Sequence, residues 1–188
     1  MAKKKKVTKK TVTKKSPLKK TSKVSSKKVA SKKMSSLKAG DKAPEFTLLD
    51  QNGEKVSLKD FRGQNVVVYF YPKALTPGCT VQACGLRDSQ KELEDLNVVV
   101  LGISPDPVKK LKNFEDKKDL NFTLLSDEDH QVAEAYHSWG LKKFMGREYM
   151  GILRQSFFID EKGKILSVLS KVETKSHHDT VVEFFKNR

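Results

Sequence analysis

The chain has 188 residues, with 38 Lys and Arg against 23 Asp and Glu and a formal net charge of +15. Residues 1–40 carry 16 lysines and no acid, so the remaining 148 residues sum to −1 and the basicity belongs to one end of the molecule. No run of 18 apolar residues is present, which excludes a helical membrane span, and the lysine-rich start lacks the apolar core of an ordinary secretory signal.

Residues 1–38 are a low-complexity tail in which Lys-Lys pairs alternate with Ser, Thr and Val. Such a segment buries too little apolar surface to offset the entropy of ordering, and disorder is expected. It is Ser-rich like a mitochondrial transit peptide, but it has Lys in place of Arg and no apolar stripe. With no aromatic residue and no Arg, any contact it makes with nucleic acid would be sequence-blind and driven by counterion release. A solubilising extension is the plainer reading. A cytoplasmic location is expected, chromosome-associated if the tail holds DNA and nuclear if the source is eukaryotic.

Residues 39–188 are read as one domain, opening at "KAGDKAPEF". "FTLLD" and "QNGEKVSL" form a hairpin around Asn52-Gly53. "NVVVYFY" (65–71) has the composition of a buried strand, and the loop "PKALTPGC" follows it. A helix is expected from Thr80 to about Leu96, with Leu86, Leu93 and Leu96 on one face. "NVVVLGIS" (97–104) is a second buried strand. "PDPVKKLKNFEDKKD" reads as a surface helix turning Val108, Leu111 and Phe114 inward. "NFTLLSD" is a short strand and "EDHQVAEAYHSW" a further helix. "QSFFID" and "KILSVL" pair around Glu161-Lys162-Gly163, and "SHHDTVVEFFKN" closes the chain as an amphipathic helix. This alternation predicts an α/β sandwich with a mixed central sheet flanked by helices.

The chemistry concentrates at the only two cysteines, Cys79 and Cys84, in "TPGCTVQAC". A strand that breaks at a Pro/Gly loop and opens a helix puts Cys79 near a helix N-terminus, where the macrodipole and unpaired N–H groups favour a thiolate. Thr76 supplies a hydroxyl that can donate to the sulfur or to a bound substrate, and Pro72 and Pro77 stiffen the loop. For Cys84 taken alone, a small buried hydrophobe is the lesser alternative. His130, His137, His177 and His178 read as surface residues on helices, with no spacing that would join the thiols in a zinc site. Neither a metal nor an organic cofactor is expected. The C-x-x-C motif of a general disulfide reductase is absent.

The stretch "YPKALTPGCTVQACGLRD" resembles the peroxiredoxin signature P-x-x-x-T-x-x-C, with Pro72, Thr76 and Cys79 at its three positions. The C-x₄-C pair is similar to the bacterioferritin comigratory protein, or peroxiredoxin Q, branch, and the likeness extends over residues 40–188. It implies a thioredoxin-like fold and a thiol peroxidase of hydrogen peroxide and organic hydroperoxides. It further implies that Cys79 is the peroxidatic residue and Cys84 the resolving residue of an intramolecular disulfide. Arg154, on a later strand, would point at the Cys79 sulfur. Thioredoxin or a similar dithiol would be the reductant, and a monomer would suffice. Residues five apart in a helix lie about 8.6 Å apart at Cα, beyond the roughly 7 Å reach of a disulfide. If both cysteines are helical when reduced, the helix must unwind for the bond to close. A nucleic-acid-binding protein with a passive peroxidase-like domain, or a redox sensor with little turnover, are the competing readings.

Overall fold

The computed structural model describes residues 36–188, and the disorder, nucleic-acid binding and targeting expected of the lysine-rich tail fall almost wholly outside them. The chain in this region runs β1 (Thr47–Asp50), β2 (Lys55–Ser57), a 3-10 turn (Leu58–Phe61) and β3 (Asn65–Phe70). It continues through α1 (Pro77–Asp88), α2 (Gln90–Asp95), β4 (Val98–Ser104), α3 (Val108–Lys118), β5 (Thr123–Ser126) and α4 (Gln131–Ala135). The last third holds β6 (Trp139–Phe144), β7 (Arg147–Ile152), β8 (Ser156–Ile159), β9 (Ile165–Leu169) and α5 (His177–Lys186).

Seven strands form one mixed sheet in the order β2-β1-β5-β4-β3-β8-β9. β3, β4 and β5 are parallel, joined by helical crossovers, whereas β1 and β8 run antiparallel to the neighbours they meet. The runs "NVVVYF" and "VVVLGIS" are apolar on both sides because helices or loops cover both faces of the sheet. The period-2 alternation of a strand then divides the core in two. Val67 and Tyr69 of β3, with Tyr71 just beyond its end, pack with Ala83 and Leu86 of α1, Leu111 and Phe114 of α3, and Val181 and Phe185 of α5. Val66, Val68 and Phe70 face the other way, toward Phe46, Leu58, Val132 and Tyr136. Consecutive Phe157 and Phe158 on β8 divide between the two cores in the same manner.

The hairpin at Asn52-Gly53 forms with Gly53 at φ 82°, and β8 and β9 pair as the sequence implies. Three expectations need correction. The helix expected over 80–96 begins earlier, at Pro77, and is interrupted at Ser89, which ends α1 and opens α2. The helix expected in "EDHQVAEAYHSW" shrinks to the five residues of α4, because His130 and His137 both adopt left-handed backbone, at φ 62° and 56°. Finally, β6 and β7 form a separate two-stranded hairpin that the sequence reading passed over. Val108 is only half-buried, while Leu111 and Phe114 turn fully inward.

One glycine is dictated by packing. Gly102 of β4 lies directly across from Tyr69 of β3, and a Cβ there would stand 2.8 Å from the phenol oxygen. Gly102→Ala should therefore force the buried Tyr69 ring aside and cost about 1–3 kcal/mol. Urea denaturation measures this, and an unchanged midpoint would show that the ring yields freely.

Candidate active site

β3 ends at Phe70, and the chain crosses residues 71–76 before entering α1. Pro72 opens this loop and is half-buried. Asp106, on the loop after β4, anchors the segment by accepting a 2.6 Å hydrogen bond from the Ala74 N–H, and Lys110 pairs with the same carboxylate. Leu75 takes a left-handed φ of 63°, a costly conformation for a side chain with a Cβ, and the chain turns there into the helix. Thr76 is the N-cap residue and Pro77 the first helical residue, where its fixed φ suits the helix and its missing N–H costs nothing. Cys79 therefore sits in the first turn, where the unpaired N–H groups and the dipole create a positive potential. It is 2% exposed.

Arg154 reaches this sulfur by register. β8 runs antiparallel to β3 with Ser156 opposite Tyr69, and the Phe70 N–H donates to the Gln155 carbonyl at 2.9 Å. The residue before Gln155 is thereby carried past the end of β3, level with the start of α1. Arg154 lies in the three-residue connector between β7 and β8, not on a strand as the sequence reading had it. Its Nη2 donates to Cys79 Sγ at 3.2 Å, and its Nη1 donates to Gln82 Oε1. A guanidinium has two donor edges in a fixed plane, so one side chain bridges the sulfur and the amide one turn later on α1.

Gln82 continues the network into the core. Since its Oε1 accepts from Arg154, its Nε2 must donate to His177 Nδ1, at 3.1 Å. That assignment leaves the proton of a neutral imidazole on Nε2, which donates to Ser156 Oγ at 2.9 Å. His177 is thus buried, at 2% exposure, and not a surface residue of the last helix. Burial, reinforced by the positive charge of Arg154 and then by His178, pulls its pKa down from 6.5 to about 4. Of the other histidines, His130 stacks on Trp139 with ring centres 3.8 Å apart, and only His178 is a helical residue near the surface.

The Thr76 hydroxyl donates to the Lys73 carbonyl oxygen at 3.0 Å. Its proton is therefore committed to the backbone and not to the sulfur, and the oxygen keeps its lone pairs as acceptors. Cys84 is half-buried on the same helix as Cys79, and both thiols are free. Lys142 of β6 adds a further cation near the site. Its ammonium donates to the Ile152 carbonyl at 3.0 Å. Burial lowers its pKa, Arg154 adds to the shift, and Cys79 opposes it. Sequence reasoning missed Gln82, His177, Ser156 and Lys142. The available signal was the buried-helix position of Gln82, three residues after Cys79. Among the described residues, no cluster of three or more His, Cys, Asp or Glu is placed to hold a metal ion, and no helix is long and apolar enough to cross a membrane.

A buried cysteine at a helix N-terminus, faced by an arginine from a connector beside a thioredoxin-like sheet, defines a thiol peroxidase of the peroxiredoxin class. The chain belongs to the AhpC/TSA family, whose model matches residues 39–168. Peroxiredoxin Bcp of Escherichia coli is 61% identical over 150 residues, covering 80% of this chain and 96% of the relative. The crystal structure of peroxidoxin BcpB from Mycobacterium tuberculosis superposes with a TM-score of 0.72 at 34% identity, over 80% of this chain and 97% of that one. The bacterioferritin comigratory protein of Xanthomonas campestris, described for alkyl peroxide reduction, also gives 0.72, at 30% identity over 76% and 90% of the two chains.

The buried neutral His177 makes stability depend on pH. Its folded pKa lies below the unfolded value, so its contribution is complete above about pH 6.5 and lost as pH falls toward 4, up to about 3 kcal/mol in all. Urea midpoints of the reduced protein at pH 7 and pH 4.5 should converge in His177→Gln relative to the parent. An equal acid loss in both proteins would refute the neutral burial.

Proposed function

We propose that Cys79 is the peroxidatic residue and Cys84 the resolving residue of a two-cysteine cycle within one chain. The observation that carries this reading is the Arg154 guanidinium 3.2 Å from the Cys79 sulfur. It stabilises a developing anion where the helix dipole already favours one. The thiolate attacks one peroxide oxygen, an S–O bond forms as the O–O bond breaks, and the departing oxygen leaves as water or an alcohol after taking up a proton. Thr76 Oγ, its own proton held by Lys73, is available to accept the O–H of the incoming hydroperoxide. Arg154 stabilises the charge that spreads over sulfur and oxygen in the transition state. Pro72 keeps the loop from offering a competing N–H.

The Cys84 thiolate then displaces hydroxide from the sulfenic acid, water is released, and a Cys79–Cys84 disulfide forms. Both residues are helical in α1, so α1 unwinds before the sulfurs meet. An external dithiol, thioredoxin by chemical class, returns the pair to thiols by exchange. Alkyl hydroperoxides are proposed as substrates together with hydrogen peroxide, supported by the Xanthomonas campestris likeness. The C-x₄-C pair lets a monomer complete the cycle.

Cys79→Ser should abolish peroxide consumption with thioredoxin as the electron donor. Cys84→Ser should keep the first turnover and stop there, leaving a sulfenate at Cys79 by mass spectrometry. Activity surviving the first substitution, or full turnover surviving the second, would contradict the assignments.

For residues 1–38 we propose sequence-blind binding of polyanions such as DNA, on the strength of 16 positive charges unopposed by acid over residues 1–40. A gel shift that weakens steeply with salt and disappears on deletion of 1–38 is expected. An unchanged shift after deletion would remove the proposal.

A further inference from the structure

Two parts of the buried network belong to elements that must separate during the proposed cycle. Gln82 lies on α1 between the two cysteines, whereas His177 opens α5 and Ser156 opens β8. Gln82 is 1% exposed and both ends of its amide are engaged, the oxygen accepting from Arg154 and the nitrogen donating to His177. Gln82 lies within the segment that unwinds in the proposed cycle, so unwinding there would withdraw that amide. Its withdrawal frees one donor edge of the guanidinium and uncovers His177 Nδ1 together.

We propose that His177 is a positioning residue: as the Nε2–H tautomer it holds the Gln82 amide, and through it the Arg154 guanidinium, against Cys79, and it lets go when α1 unwinds. The inference rests on the Cys79–Cys84 reading above. Three features support it. The tautomer is set by the Gln82 amide donating to Nδ1, and the Ser156 hydroxyl is placed to accept from Nε2–H. The ring packs beside Tyr69, with centres 6.0 Å apart. The close approach of α1 and α5 is built in as well, since a Cβ on Gly85 would stand 2.6 Å from His178 Nδ1.

The groups facing His177 make its protonation state follow the helix. From the β7–β8 connector comes the Arg154 charge and from its own helix His178, both of which oppose a positive imidazole, as does burial. Tyr69 of β3 faces it with a phenol that burial keeps protonated. On α1 the neutral Gln82 amide presents a donor, which protonated Nδ1 could not accept. Unwinding removes the burial and the amide donor together, so acidification between about pH 6.5 and 4 favours the unwound, disulfide-competent form.

The decisive experiment compares the reduced and disulfide forms of the full chain by long-range ¹H–¹⁵N spectra of His177 across pH 4–8, with mass spectrometry confirming the bond. In the reduced form, His177 is expected as the Nε2–H tautomer, neutral down to pH 5. In the disulfide form, its titration midpoint should move up by at least one pH unit. Identical titrations with the bond present would overturn the coupling, whereas failure of the bond to form would strike the two-cysteine cycle instead. Two variants test the positioning role in the reduced protein. His177→Asn retains an acceptor near the Nδ1 position for Gln82, and His177→Gln retains only the donor near Nε2 for Ser156. The rate of Cys79 oxidation by peroxide should stay within about twofold for Asn and fall about tenfold for Gln. Equal rates in the two variants would overturn the role, and if either variant fails to fold the spectra of the parent decide.

Discussion

Everything in the site depends on a single planar cation held at the end of a strand. Both terminal nitrogens of Arg154 donate to α1, Nη2 to the Cys79 sulfur and Nη1 to the Gln82 amide oxygen. The fork geometry fixes the sulfur relative to the first two turns of the helix in a way that a lysine, with its single ammonium centre, does not. The arginine is in turn fixed by the pairing of β8 with β3, which sets how far the β7–β8 connector extends beyond the sheet. The reactive geometry is therefore a consequence of strand register as much as of helix capping.

The same grip creates a conflict that the fold has to resolve. Peroxide reduction calls for an ordered helix, a buried sulfur and a charged donor already in place, since preorganised dipoles cost no reorganisation in the transition state. The proposed Cys79–Cys84 disulfide would call for that helix to come apart. The break at Ser89 separates α1 from α2, and Leu93, fully buried on α2, would keep α2 docked in the core if the preceding turns unwind as proposed. Ala83 and Leu86 are fully buried on α1 itself and supply the resistance. In the proposed cycle, the cost of unwinding α1 would include exposing these two side chains and withdrawing Gln82.

The parts of this arrangement written in local sequence were legible. Alternation and β-branching in "NVVVYFY" and "NVVVLGIS" mark the inner strands, Asn52-Gly53 marks its hairpin, and "TPGC" marks the helix start that carries Cys79. The direction of Arg154 came from family resemblance, because nothing near "GILRQS" indicates a partner 75 residues away. His177 was misplaced for the same reason. A histidine at a helix start reads as polar surface, and its burial is decided by Gln82, 95 residues earlier in the chain. The β6–β7 hairpin escaped notice because three glycines and several charges blur its alternation. Its turn does carry a signal, Met145-Gly146, with both residues at positive φ as a tight hairpin requires.

The most direct test is the rate at which hydrogen peroxide oxidises Cys79 in Arg154→Lys, followed by stopped flow in protein that remains folded. Lysine keeps the positive charge but cannot bridge sulfur and amide together, so the account predicts a loss of about a hundredfold. A rate within twofold of the parent would show that charge alone suffices and that the two-edged grip on α1 is not what activates the sulfur.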